Sequence, residues 1–298
     1  VFILYPRGRV SPLQERQMTC TGSPNIFPIS IEGSFDDAQN IVKDLFNDLA
    51  FKEQNRLSAV NSINIVRILA QCVYYLHAWN RLPSSKRDHL TFVVPTGNFG
   101  NIFAGWLAAR MGLPAEGFTI ATNQNDILYR LFTSGQYQPG DVDPSLAPSM
   151  DIQVASNFER FLFYLLERDG ARVTELMNTM KARGSLEIPG FDPSIFNATR
   201  ADDSSIREII ARVYETWNYV VDPHTACGFA GRDPVSENGH RIILSTAHPA
   251  KFAETIEATL GIIPTHPTLE ALKTRAPVSF ELAPETEAVR AFIAENAA

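Results

Sequence analysis

Residues 91–112, TFVVPTGNFGNIFAGWLAARMG, constrain this chain more than any other stretch of it. A run of β-formers ends at Pro95, two glycines bracket Asn98 and Phe99, and an apolar helical pattern begins at once. A strand that passes through a short loop straight into a helix is the building unit of an α/β fold with a mostly parallel, twisted sheet and helices on both faces. A Gly-rich loop opening a helix also offers several free backbone N–H groups beside the positive end of the helix dipole, which together favour a phosphate. The loop has neither the GxGxxG of a dinucleotide fingerprint nor the GK[ST] ending of a Walker A loop. It equally fits a tight βα turn whose glycines serve packing alone.

The flanking sequence repeats the same alternation. Residues 1–5 and 25–33 read as strands, 11–19 and 35–49 as helices, and 61–79 as a long helix, apolar nearly all round and so expected to be central. The strand expected at 117–123 ends in polar residues, as does the strand 241–246, and ligands of α/β folds bind at such strand ends. The expected domains are 1–57, part of a smaller α/β unit, and 58–298, a larger α/β unit. The opening VFILYPRGRVS reads as an internal strand, so the chain is expected to start in mid-domain.

With 298 residues, 45% of them hydrophobic, the chain can bury a large core. A formal charge of -7 argues against nucleic-acid or anionic-membrane partners while leaving room for one local cationic pocket. No apolar run approaches the roughly 18 residues that span a bilayer. Cys20, Cys72 and Cys227 are odd in number and far apart, which suggests neither a disulfide framework nor a zinc site and fits a reducing, cytoplasmic setting.

Three sets of residues suggest chemistry. On the expected helix 61–79, Asn64, Arg67 and Gln71 share one face amid apolar neighbours that include Ile63. An arginine buried on such a helix needs an anion, either a structural carboxylate or a phosphorylated ligand. VVDPHTACGFAG and ILSTAHPAKF each place a His and a Thr just past an apolar element. Taken singly, His224 and His248 read as hydrogen-bonded structural residues, and their spacing is not that of metal ligands.

PTGNFGN, VNSIN..R, SMDIQVASNFERF, DPHTA.G and LSTAHPAKF, in this order, resemble the threonine synthase family over essentially the whole chain, corresponding to roughly the C-terminal two thirds of a family member. The resemblance implies a tryptophan-synthase-β-like fold (pyridoxal-phosphate fold type II) and pyridoxal 5'-phosphate as cofactor. It implies that Gly97, Asn98, Phe99, Gly100 and Asn101 cradle the cofactor phosphate, that Thr246 meets its ring nitrogen, and that Asn61 and Arg67 hold the phosphate of O-phosphohomoserine. Asn64 joins them because it faces the same way as Arg67. No metal is implied, and the protein is expected to be a monomer or homodimer.

One departure stands out. The Schiff-base lysine of that family lies in an FKD-type motif upstream of the segment that VFILYPRGRVS resembles, so no catalytic residue is assigned within the chain. That lysine is expected upstream of Val1, and the chain alone is expected to be inactive. Lys52 in AFKEQN reads as a surface helix residue, and Lys251 is not the cofactor's lysine either. Besides threonine synthesis, the motifs leave open a related protein that binds a phosphorylated ligand or only eliminates its phosphate.

Overall fold

The computed structural model describes residues 1–61, 64–188, 190–231 and 239–297. In chain order the strands are β1 (Phe2–Pro6), β2 (Phe27–Ile31), β3 (Leu90–Pro95), β4 (Ala115–Thr122), β5 (Asn197–Arg200), β6 (His240–Ile243) and β7 (Phe280–Leu282). The helices are α1 (Pro12–Thr19), α2 (Phe35–Asn47), α3 (Leu49–Gln54), α4 (Ile65–Arg81), α5 (Gly100–Arg110), α6 (Ile127–Ser134) and α7 (Phe158–Leu165). They continue with α8 (Gly170–Arg183), α9 (Asp203–Trp217), α10 (Pro223–Cys227), α11 (Ala253–Leu260), α12 (Pro267–Lys273) and α13 (Thr286–Asn296). Two units emerge, Val1–Ser58 with Thr265–Ala298, and Ala59–Pro264.

In the first unit β1, β2 and β7 form a parallel sheet with β2 in the middle. Helix α1 starts where a capping box demands it: Ser11 and Gln14 exchange side-chain bonds to each other's backbone N–H, and Pro12 takes the first helical position. Ile29 and Ile31 of β2 bury against Ala38, Ile41 and Leu45 of α2 and Val289 and Ile293 of α13. Residues 265–298 thus depart from the expected continuous span 58–298. They return to the first unit through β7, whose pairing with β2 joins positions some 250 residues apart, which local patterning does not encode.

In the second unit the order is β5-β4-β3-β6, all parallel. Every residue of β3 is buried, and its two faces pack on different sides. Phe92 and Val94 join α4, α5 and α7 in one core, while Val93 joins α9 and α10 in another. That is the period-2 alternation of a strand covered by helices on both faces.

Helix α4 corrects the expectation of a central helix. Only Ile68, Cys72 and Tyr75, at i, i+4 and i+7, are buried, whereas Ile65, Val66, Leu69, Val73, Tyr74 and Leu76 are exposed. An apolar surface without a period does not say which stripe a neighbour will cover, and here α5 covers one. The helix begins at Ile65 because Asn64 caps it; Ser62 and Ile63 lie outside the described residues. No helix among the described residues is long and apolar enough to cross a membrane.

Candidate functional site

Strands β3 and β6 are adjacent and parallel, with Val93 opposite Ile243 and the Leu244 N–H bonded to the Val93 carbonyl at 3.0 Å. The Gly97–Asn101 loop and Thr246 therefore leave the same carboxyl edge of the sheet from neighbouring strands. From β3 the chain continues to β4 on one side, while β6 lies on the other. The two loops consequently part at a topological switch point, where open α/β sheets form their binding crevice.

The loop after β3 has its own reasons for its shape. Phe99 adopts a left-handed backbone conformation, φ 64°, as the N-cap of α5. Such a conformation costs a non-glycine residue about 1 to 2 kcal/mol. The cost is offset by complete burial of the ring among Phe132, Phe158, Phe161 and Phe196, with centroids 5.3–6.1 Å away; burying a Phe is worth about 1.5 to 3 kcal/mol. With Phe99 anchored, the N–H groups of Gly100 and Asn101 open the helix without an acceptor among the described residues. Asn98 is exposed, and its carbonyl is pinned by the backbone and side-chain N–H groups of Asn157, both at 3.1 Å. Asn101 receives the Tyr75 hydroxyl at its carbonyl, 2.8 Å. Burial pushes the Tyr75 pKa well up, so that this phenol remains a donor.

Gly97 has a different constraint. A Cβ there would lie 2.7 Å from the Ser149 carbonyl oxygen and 3.1 Å from the Met150 Cα, so its bare backbone rests directly on another stretch of main chain. The floor beneath it is tied down twice. Asp151 accepts from Asn123 (2.6 Å), Asn125 (3.0 Å) and the Ser145 hydroxyl (2.6 Å), fastening the segment to the end of β4. On its other side, the Ser149 N–H donates to His224 Nε2 at 3.1 Å.

His224 is almost wholly buried, and its Nδ1 lies 3.0 Å from Asp222. A backbone N–H can only donate, so Nε2 is bare and the ring proton sits on Nδ1, directed at the carboxylate. Asp222, fully buried, also receives the N–H groups of His224 and Thr225 and the Thr225 hydroxyl. Thr225 Oγ1 in turn accepts the Thr246 N–H at 3.1 Å. Thr246 itself is exposed, and its hydroxyl has no partner among the described residues.

The residues on α4 and in the turn before it are arranged differently from expectation. Arg67 is exposed rather than buried, and its guanidinium donates to the Val60 carbonyl at 2.9 Å, so the requirement for an anion to neutralise a buried charge does not hold. Asn64 spends both ends of its amide on the turn before α4: Oδ1 accepts from Val66 N–H (3.0 Å) and Nδ2 donates to Ala59 (2.9 Å). Asn61 is exposed and its carbonyl accepts the Asn64 N–H. Gln71 reaches the loop: its Oε1 is buried without a partner among the described residues, 3.8 Å from where a Cβ on Gly100 would stand.

Two further candidates have local partners. His248 caps a short turn through Nδ1, which accepts the Ala250 N–H at 3.1 Å. Lys52 lies on α3 in the first unit, its ammonium over the Phe46 ring at 5.5 Å. No group of His, Cys, Asp or Glu among the described residues is arranged to hold a metal ion. Sequence reasoning missed Asp222, Ser149 and Asn157; only Asp222 carried a local signal, as an Asp-Pro pair at a helix start.

Residues 1–187 match the family described as pyridoxal-phosphate dependent enzyme, and residues 225–293 match the threonine synthase C-terminal family. The chain belongs to the pyridoxal-phosphate dependent enzyme family. Within it, similarity is to threonine synthases: that of Pseudomonas aeruginosa is 44% identical over 99% of this chain and 65% of the relative. The crystal structure of PLP-bound threonine synthase from Brucella melitensis superposes with a TM-score of 0.90 at 44% identity, covering 99% of this chain and 65% of that one. Yeast threonine synthase gives a TM-score of 0.84 at 37% identity, with coverage of 99% and 64%. The chain thus spans about 65% of the length of such relatives.

Proposed function

We propose that this chain carries the cofactor and substrate-phosphate sites of a threonine synthase, which converts O-phospho-L-homoserine and water to L-threonine and phosphate in the cytoplasm, as a monomer or homodimer. The observation that carries the proposal is the pairing, at the carboxyl ends of adjacent strands β3 and β6, of a loop whose backbone N–H groups and a threonine whose hydroxyl have no partner among the described residues.

These residues fit pyridoxal 5'-phosphate. The N–H groups around Gly97, Asn98, Gly100 and Asn101 would hold its phosphate at the positive end of α5, Phe99 fixing their direction from the core. The Thr246 hydroxyl would meet the ring nitrogen, and a neutral partner there leaves that nitrogen largely unprotonated, unlike an aspartate. Bound, the cofactor supplies the electron sink that stabilises carbanions beside the amino-bearing carbon. Arg67 and Asn61 would bind the substrate phosphate from the start of α4, the guanidinium fork matching its oxygens and steadying it as it leaves. Asn64 would act with them mainly by setting that first turn, since its amide already caps the helix.

Two measurements test the proposal. Pyridoxal phosphate should bind with an affinity that inorganic phosphate competes away, and pyridoxal without its phosphate should bind far more weakly. From O-phosphohomoserine the complete enzyme with its cofactor bound should release threonine and phosphate in equal amounts; a keto acid with the phosphate would refute the synthase reading while keeping the site.

A further inference from the structure

We infer that Asp222 is a positioning residue that fixes the two ends of the cofactor site relative to each other. The inference rests on the proposed cofactor reading and assigns roles to Asp222, His224 and Thr225, none of which would touch the cofactor.

The buried carboxylate receives four donors, two backbone and two side-chain. The side-chain donors matter most, because histidine and threonine can each present either a donor or an acceptor. By accepting the hydrogen bond of His224 Nδ1–H, Asp222 leaves Nε2 as an acceptor, which holds the Ser149 N–H. By accepting the hydrogen bond of the Thr225 hydroxyl, it leaves Oγ1 with lone pairs outward, one of which holds the Thr246 N–H. A single carboxylate thereby sets the polarity of two side chains and through them clamps two backbone segments. One, Ser149–Met150, is the surface on which Gly97 rests at the phosphate end. The other carries Thr246 at the ring end. Gly228, just after α10, adds to the clamp, since a Cβ there would lie 2.5 Å from Ile243 Cγ2 and 3.7 Å from Pro95 Cγ, the ends of β6 and β3. His224 is also held in place by the Phe252 ring, 4.8 Å between centroids.

An asparagine at 222 would put an NH2 where the donors on one side now point, reversing the polarity there, and its remaining oxygen, no longer charged, would hold the donors on the other side more weakly. Two single-branch variants separate the arms: His224→Phe keeps a ring but removes the Ser149 bond, and Thr225→Val removes the Thr246 bond. Amide hydrogen exchange in the ligand-free chain should rise at Ser149 in the first variant, at Thr246 in the second, and at both in Asp222→Asn. Pyridoxal phosphate affinity should fall tenfold or more in Asp222→Asn; His224→Phe should lose most of the advantage of pyridoxal phosphate over pyridoxal, and Thr225→Val should shift the absorption maximum of the bound cofactor. Should Asp222→Asn fail to fold, the two single-branch variants carry the test. Unchanged exchange at both amides, or affinity within twofold of wild type in all three variants, overturns the inference. Wild-type protein that binds no pyridoxal phosphate refutes the cofactor reading instead, and the exchange measurements still decide whether Asp222 holds both segments.

Discussion

Gly97 and Gly100 look alike in sequence, yet the structure gives them different costs for the same substitution. In Gly97→Ala the new methyl meets main chain, 2.7 Å from Ser149 O and 3.1 Å from Met150 Cα. That main chain is held by Asp151 on one side and His224 on the other, so it cannot move aside cheaply. The backbone angle at Gly97 is not left-handed, so the cost is steric alone. Forcing one methyl into a fixed, packed contact costs about 1 to 3 kcal/mol. In Gly100→Ala the closest atoms are Ile68 Cδ1 at 3.1 Å and Asn157 Nδ2 at 3.4 Å, both side-chain tips. Alanine is favoured over glycine in a helix interior by about 0.8 to 1.0 kcal/mol, and part of that gain at the first helical position should leave the change near neutral. Urea unfolding followed by tryptophan fluorescence suits the comparison, because Trp79, Trp106 and Trp217 all lie in the second unit. With a slope near 3 kcal/mol per molar, Gly97→Ala should lower the midpoint by about 0.3 to 1 M. Equal midpoints for the two variants, or a larger loss for Gly100→Ala, would refute the distinction between main-chain and side-chain contact.

Tyr137 gives an alkaline prediction: burial, its chief perturbation, pushes its pKa up to about 12 from 10.0, and its oxygen accepts the Ala155 N–H at 3.0 Å. The folded state therefore holds this proton more tightly, and about 2 to 3 kcal/mol of stability present below pH 10 should be lost as pH rises toward 12; Tyr137→Phe should remove that slope in a pH series of urea midpoints. Asn64→Ala should cost about 1 kcal/mol as a lost helix cap, whereas Arg67→Ala should leave stability unchanged and raise KM for O-phosphohomoserine with little effect on cofactor affinity. A stability loss at Arg67 with unaltered kinetics would remove it from the substrate site. Thr246→Asp should move the cofactor's absorption spectrum and His248→Asn should not; the reverse would reassign the ring contact. Borohydride reduction and peptide mapping of the holoenzyme should leave Lys52 unlabelled, and stoichiometric label there would make α3 part of the active site.

What could be read in the sequence was what neighbouring residues decide among themselves. The β3–loop–α5 passage was legible because a strand run, paired glycines and a helical period meet within 22 residues, and α1 because Ser11, Pro12 and Gln14 form a complete start signal. Strand β5 was not legible: Asn197–Arg200, NATR, has little β preference, and only the edge of β4 makes it a strand. The same holds for β7, which exists because β2 offers it a partner. At the site, Gly97–Asn101 and Thr246 were recognisable as local motifs, while the argument from charge burial that singled out Arg67 fails, since its side chain is exposed.

The residues missed share one property, which is that their partners are distant in the chain. Asp222 signals only that a short helix begins, and that signal is true as far as it goes: it caps α10 through the N–H groups of His224 and Thr225. Nothing within five residues tells that the same carboxylate directs His224 to Ser149, 75 positions earlier, and Thr225 to Thr246, 21 positions later. Those two contacts give a physical reason why DPHTA.G, SMDIQVASN and STAH occur together in one chain. SMD supplies a floor for Gly97 and fastens it through Asp151, STAH supplies the threonine, and DPHT supplies the clamp that carries both. A substitution in one motif is therefore expected to couple energetically with substitutions in the other two: in a double-mutant cycle, Thr225→Val should lose most of its effect on cofactor affinity once Asp222→Asn has released the Thr225 hydroxyl. Strict additivity of the two changes would mean that Thr225 and Asp222 act separately, and the three motifs would then need three independent explanations.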